Sequence, residues 1–324
     1  MADKPRVLVT HSWPRACEER LRADYDVDLA PHPRALDAEA IQQALARYDA
    51  ILPTITDDLS AGVFEATPLR CRFIGNFGVG FNHIALESAR QKGITVTNTP
   101  DVLTDCTADL VLLLILMSAR RASEGERILR DGQWTGWNPT QLLGTQVSGK
   151  TLGLVGFGRI AKATARRAHF GFGMNILVSA RRPLAEEDLA DCRGVQVASL
   201  EALMAASDFV SLHCPGSPEN RHLINRDRLA LMKPEAILIN TARGDVVDTL
   251  ALIEALRNGT IRGAGLDVYE GEPHFNPDLL SVDHLTLLPH LGSATVETRT
   301  AMGMRAIDNL DAFFRGEIPR DRIA

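Results

Sequence analysis

Residues 151–168 read Thr-Leu-Gly-Leu-Val-Gly-Phe-Gly-Arg-Ile-Ala-Lys-Ala-Thr-Ala-Arg-Arg-Ala, and the interpretation of this stretch decides the fold. An apolar run, Leu152 to Val155, passes into Gly156, Phe157, Gly158, Arg159, Ile160 and Ala161, and from there into an alanine-rich helical segment. The order is G-x-G-x-x-A, the pattern of a dinucleotide-binding turn. Gly156 permits a tight turn, Gly158 lets backbone approach a pyrophosphate, and Ala161 is small enough for the helix to pack on the strand. The phosphates would sit at the helix N-terminus, where unpaired N–H groups and the helix dipole favour anions. A glycine triplet by itself can be a plain turn. Here a strand precedes it, a helix follows, and a second strand, "NILVSA" at 175–180, comes at the interval that a nucleotide site requires.

That second strand ends at Ala180, where an NAD site normally holds Asp or Glu against the ribose hydroxyls. Such an acid would repel a 2′-phosphate. Ala180 removes the repulsion, and Arg181 and Arg182 offer guanidinium donors whose geometry suits a dianion. The expected cofactor is therefore NADP, with NADPH preferred over NADH; the alternative is a pair of solvated surface arginines.

Outward from the turn, short β-rich runs alternate with helical segments: "RVLVTH", "DAILPT", "RFIGNFG", "GITVTN", a helix over 102–120, then "TLGLVG", "NILVSA", "VQVAS", "DFVSLH", "AILINTA", "GAGLDV" and "LTLLPH". This is an α/β chain with parallel sheets. Continuous apolar character in "LGLV", "AILI" and "LTLL" suits strands covered by helices on both faces. Glycine-containing strand ends near 75–80 and 153–158 imply two doubly wound units rather than one sheet. Crossings are expected at about residues 100 and 291, giving one unit from 1–100 plus 292–324 and another from 101–291.

With 324 residues, 45% of them hydrophobic, the chain can bury two cores. A net charge of −6 and the lack of any basic stripe speak against a nucleic-acid partner and put a small molecule first. Cys17, Cys71, Cys106, Cys192 and Cys214 are scattered without metal-ligand spacing, so neither a disulfide framework nor a metal site is expected, and a reducing cytoplasm fits. The start "MADKPRVLVTH" does not resemble a signal peptide. The longest apolar run, Leu110 to Met117, is far short of the roughly 20 residues that a bilayer requires, so it reads as a buried helix and no membrane role is expected.

Three segments fall at the C-terminal ends of expected strands, where open α/β sheets bind ligands. They are "NTARGDVVD" with Arg243, "LDVYEGEP" with Glu272 and "LLPHLGSAT" with His290. A cation, a carboxylate and an imidazole beside a nicotinamide can perform hydride transfer: Arg243 grips a carboxylate and polarises a ketone, while His290 supplies the proton. Glu272, hydrogen-bonded to His290, would stabilise the imidazolium and orient the ring. Singly, each has a plainer role, as surface ion-pair partner, turn carboxylate or hydrogen-bonded histidine; their joint placement favours chemistry. His213 reads as a structural residue at a strand end.

Together these segments resemble the D-2-hydroxyacid dehydrogenase family over nearly the whole chain. The 29 residues from Arg243 to Glu272 and the 18 from Glu272 to His290 agree with the family's Arg, Glu and His. "NTPDVLTDCTADLVLLLILMSARR", "GQWTGWNP" and "AGLDVYEGEP" look most like the family's glyoxylate and hydroxypyruvate reductases. The resemblance implies a nucleotide domain inserted into a flavodoxin-like substrate domain. It implies that Arg243 binds substrate, that Glu272 supports the histidine, that His290 is the acid/base, and that the reaction reduces glyoxylate or hydroxypyruvate to the 2-hydroxy acid. "NFGVGFNHI" (76–84) is similar to the substrate loop, whose N–H groups at Val79 and Gly80 would hold the carboxylate. Thr107, Cys214, Pro215, Thr241, Ala242, Asp267 and Gly292 would line the cofactor, with Arg243 and His290. Trp137 resembles an aromatic that a dimer partner inserts into the substrate pocket, which implies a homodimer; ordinary interface packing is its alternative. The chain departs from the family pattern at Phe81 and His83, where Tyr and Asn are usual, and at Ala180. A short phosphoglycerate dehydrogenase and a corepressor-like NAD(H) sensor are the competing readings.

Overall fold

The computed structural model describes residues 4–29, 35–65 and 68–324, so the first three residues of the amino-terminal segment lie outside it. The chain divides into two compact units, Met1–Leu103 with Ala294–Ala324, and Thr104–Ser293.

The first unit holds β1 (Arg6–Val9), β2 (Asp26–Leu29), β3 (Ala50–Leu52), β4 (Phe73–Gly75) and β5 (Thr95–Thr97). They form one parallel sheet in the order β2-β1-β3-β4-β5. Of these strands, β2 is the one with no counterpart among the sequence-read runs. Its sequence, DVDL, alternates charged and apolar residues on a half-exposed sheet edge, so it lacks the continuous apolar signal of a covered parallel strand. The long helix Val296–Phe314, from the C-terminal part of the chain, packs on this sheet through Ala306, Ile307 and Leu310.

The second unit holds β6 (Thr151–Val155), β7 (Asn175–Ser179), β8 (Gly194–Gln196), β9 (Phe209–Leu212), β10 (Ile237–Asn240), β11 (Gly263–Leu266) and β12 (Leu285–Leu287). All pairings are parallel, in the order β12-β11-β10-β9-β6-β7-β8. Strands β9, β10 and β11 are buried along their whole length because helices cover both faces. The strand order reverses between β6 and β9, so the carboxyl ends of these two neighbours define the crevice where such sheets bind ligands. The apolar run expected to be a buried helix lies in Thr104–Ala119, which packs Val111, Leu114 and Ile115 against the helix Arg159–Phe172 and the adjoining strands.

Gly153 in β6 marks how closely a helix lies on this sheet. A Cβ at that position would overlap the Ser207 hydroxyl and stand 2.6 Å from Leu203 Cδ2, both at the helix Leu200–Ala206. Gly153→Ala is expected to destabilise the second unit by about 1–3 kcal/mol through overpacking, measurable as a lowered midpoint in urea denaturation.

Candidate active site

The site is built from the loops that leave β10, β11 and β12. Asn240, at the end of β10, is buried and organises the first of them. Its Oδ1 accepts from the Ala242 N–H at 3.0 Å and its Nδ2 donates to the Arg243 carbonyl at 2.9 Å, which winds the chain into a tight turn and fixes where Arg243 emerges. The Arg243 guanidinium is half-buried and donates to the Ala242 carbonyl at 2.6 Å. Burial pulls its pKa below the usual arginine value, while the Glu272 and Asp245 carboxylates act in the opposite direction.

Gly244 brings the second loop in. A Cβ here would coincide with the Tyr269–Glu270 peptide, so the two loops touch backbone to backbone and only glycine fits. The strap from Tyr269 to Glu272 is tied down at two points. The Tyr269 N–H donates to Glu272 Oε1 at 2.6 Å, and the Tyr269 hydroxyl donates to the Leu288 carbonyl, beyond β12, at 2.8 Å. Glu272 Oε2 then stands 2.7 Å from His290 Nδ1. An ionised carboxylate only accepts, so Nδ1 carries the hydrogen of this bond and Nε2 remains for proton exchange.

His290 has φ of +55°, a left-handed conformation that residues other than glycine seldom adopt. The surrounding bonds hold it there: its N–H meets the Asp267 and Leu288 carbonyls at 3.0 and 3.1 Å. Asp267, 1% exposed, accepts from the Leu291 N–H at 2.6 Å and the Gly292 N–H at 2.9 Å. Burial pushes its carboxyl up to about 6, against the opposing pull of these N–H groups and of His290. Thr107 donates to the Gly292 carbonyl at 2.9 Å, so one network joins Thr107, Gly292, Asp267, His290 and Glu272.

The nucleotide turn follows β6. Gly156 has φ of +92°, and a Cβ there would lie 3.0 Å from the His213 carbonyl, so the turn itself demands glycine. Gly158 differs. Its φ of −80° suits any residue and a Cβ would meet no atom of the described residues within 4 Å, so the space above it is a cradle that a side chain would fill. The helix Arg159–Phe172 starts there with no side-chain cap and no acid in its first turn, and Ala161 is fully buried. Thr241 Oγ1 is buried with no hydrogen-bond partner among the described residues. An open cradle at an uncapped helix N-terminus, with such a hydroxyl on a neighbouring loop, fits a dinucleotide.

Ala180 is half-buried after β7, and Arg181 and Arg182 are exposed. Gln196 holds this loop by accepting from the Leu184 N–H at 2.9 Å and donating to the Arg182 carbonyl at 3.0 Å. Neither guanidinium forms an ion pair among the described residues. Cys214 and Pro215 follow β9, on the other side of the strand-order reversal, and Asn220 Nδ2 donates to the Pro215 carbonyl at 2.9 Å. His213 shares a 3.0 Å hydrogen bond with Ser211, and burial pushes its pKa down to about 4. Trp137 is 81% exposed, on a stretch without regular structure that also carries the exposed Trp134. Val79 and Gly80 belong to the first unit, in the loop after β4. Among the described residues, no helix is long and apolar enough to cross a membrane, and no group of three or more His, Cys, Asp or Glu could hold a metal.

Three positions that organise this site carry little sequence signal: Asn240, Gly244 and Tyr269. Gly244 and Tyr269 act through contacts with a distant loop, and Asn240 through side-chain bonds to the backbone two and three residues on.

Comparison with known proteins gives the class. The family described as "D-isomer specific 2-hydroxyacid dehydrogenase, NAD binding domain" matches residues 112–292. The glyoxylate reductase of Thermococcus kodakarensis is 45% identical over 322 residues, covering 98% of this chain and 95% of that protein. Among solved structures, a glyoxylate reductase from Paecilomyes thermophila is 31% identical with a TM-score of 0.85, covering 100% of this chain and 99% of that one. An NADPH-dependent glyoxylate/hydroxypyruvate reductase from Sinorhizobium meliloti, in complex with NADP and malonate, is 35% identical with a TM-score of 0.86, covering 99% of this chain and 97% of that one. The chain belongs to the D-isomer-specific 2-hydroxyacid dehydrogenase family, oxidoreductases that use a nicotinamide cofactor.

Gly244→Ala is expected to separate the Arg243 loop from the Tyr269–Glu272 strap and to cost about 100-fold in turnover, since displacements near 1 Å have effects of that size. Steady-state kinetics alongside a thermal melt check it.

Proposed function

We propose that this protein is an NADPH-dependent reductase of small 2-oxo acids, glyoxylate or hydroxypyruvate, yielding the 2-hydroxy acid. The observation that carries the reading is the 2.7 Å pair of His290 Nδ1 and Glu272 Oε2, on a strap held in backbone contact with the Arg243 loop. The bound nicotinamide supplies the hydride. His290 delivers the proton from Nε2 to the oxygen of the former ketone, and Glu272 stabilises the imidazolium before that transfer and keeps the ring from turning. Arg243 pairs with the substrate carboxylate and polarises the ketone; partial desolvation strengthens both interactions. The N–H groups of Val79 and Gly80 also serve as carboxylate donors.

For the cofactor, Gly156 to Ala161 cradle the pyrophosphate, with Phe157, Gly158, Arg159 and Ile160 contributing turn and helix N-terminus. Arg181 and Arg182 hold the 2′-phosphate beside Ala180. Thr107, Cys214, Pro215, Thr241, Ala242, Arg243, Asp267, His290 and Gly292 line the remainder of the cofactor site. The Sinorhizobium meliloti relative, which is NADPH-dependent and was crystallised with NADP, supports this choice of nucleotide. The exposed Trp134 and Trp137 support a homodimer in which Trp137 reaches the partner's pocket, and five free cysteines support a cytoplasmic setting.

Two measurements test the reading. His290→Ala is expected to lower the rate of NADPH oxidation with glyoxylate or hydroxypyruvate by about 10²- to 10⁴-fold, the usual range for a lost acid/base. Near-normal turnover in that variant overturns the assignment. Replacing Arg181 and Arg182 together by Ala should raise the KM for NADPH about 10- to 100-fold with little change for NADH. An equal change for the two nucleotides returns both arginines to the solvated surface.

A further inference from the structure

In the loop after β4, two consecutive backbone N–H groups, those of Val79 and Gly80, donate to no acceptor among the described residues. The carbonyls that precede them are, by contrast, each held by a hydrogen bond. Asn76 Nδ2 donates to the Gly78 carbonyl at 3.1 Å and to the Gly80 carbonyl at 2.9 Å. The Thr99 N–H also reaches the Gly78 carbonyl at 3.1 Å. Asn98 Nδ2 donates to the Val79 carbonyl at 2.9 Å.

In a trans peptide the C=O and N–H of one unit point in opposite directions. Holding the Gly78 carbonyl therefore sets the direction of the Val79 N–H, and holding the Val79 carbonyl sets that of the Gly80 N–H. Both asparagines are themselves buried and anchored through their backbone N–H groups. Asn76 is 0% exposed and its N–H is bound to the Thr97 carbonyl at 2.9 Å; Asn98 is 7% exposed, with its N–H 3.3 Å from the Asp321 carbonyl. The Asn76 carboxamide has one workable orientation, because a flip would turn Oδ1 against two carbonyl oxygens. In the orientation present, Oδ1 is buried with no partner among the described residues, so this side chain serves donation alone. A Cβ at Gly78 would lie 3.1 Å from Ile55 Cγ2 and 3.5 Å from Asn76 Nδ2, which shows how tightly the carboxamide and the wall opposite enclose the loop backbone.

We propose that Asn76 and Asn98 are positioning residues that lock the carbonyls of the 78–80 loop inward and thereby aim the Val79 and Gly80 N–H groups, as a preorganised pair, at the carboxylate of the 2-oxo acid. This rests on the reading given above that these two N–H groups receive the carboxylate. Donors fixed before binding need no reorganisation when the anion arrives, so the loss of either anchor is felt in binding of the acid first.

The test compares wild-type protein with Asn98→Leu, Asn98→Ala and Asn76→Leu in steady-state reduction of glyoxylate and of its methyl ester by NADPH. Leucine keeps the approximate shape and removes the donor. The KM for glyoxylate is expected to rise about tenfold or more in each variant, the equivalent of one lost charge-assisted hydrogen bond. The KM values for the ester and for NADPH should stay within about twofold. A merely structural role would move acid and ester together. Should Asn98→Leu fail to fold, Asn98→Ala carries the comparison. An unchanged glyoxylate KM in folded variants, or an equal rise for acid and ester, overturns the proposal alone. A wild-type protein that does not distinguish acid from ester overturns the carboxylate reading and this proposal with it.

Discussion

A side chain at Gly244 would have to occupy the space of the Tyr269–Glu270 peptide, and the rest of the site depends on that exclusion. Because the two backbones meet, the turn wound around Asn240 and the strap ending at Glu272 share one position. The strap is in turn anchored beyond β12 by the Tyr269 hydroxyl, close to where His290 emerges. Three loops from three adjacent strands are thus braced by one backbone contact and by side-chain hydrogen bonds to main-chain groups. Such bracing holds charged side chains within fractions of an ångström of one geometry.

Glu272 is the electrostatic centre of this arrangement. One oxygen takes the Tyr269 N–H, the other the His290 ring, and its charge offsets the desolvation of Arg243. Removing one partner from such a half-buried set leaves an uncompensated charge, which is why the three groups act as a unit rather than as separate contributions. Asp267 lies behind them, out of solvent, with both oxygens given to the backbone of the His290 loop. It shapes the loop and contributes negative charge to the histidine without facing the bulk.

Much of the fold was legible from residue pattern. Continuous apolar runs bounded by glycine and proline located the strands with two covered faces, and the alternation of strand and helix implied parallel sheets. The edge strand β2 escaped because half of DVDL faces water. At the nucleotide turn, Gly156 and Ala161 have the internal steric reasons read from the motif, a positive φ and a buried helix-to-strand contact. Gly158 has no internal reason, which points to a group from outside the chain. Thr107 was singled out only through resemblance, and its hydrogen bond to the Gly292 carbonyl crosses 185 residues of sequence.

By itself the sequence determined the class of fold, the family, and which residue types stand at the strand ends, because periodicity, turn chemistry and motif spacing are local properties of a chain. Tertiary structure alone decided that Gly244 can only be glycine, that His290 adopts a left-handed backbone within reach of Glu272, and that Asn76 and Asn98 grip the carbonyls behind Val79 and Gly80. These are contacts between segments brought together by sheet order and hydrogen-bond direction. Neither quantity is written in any short stretch of residues.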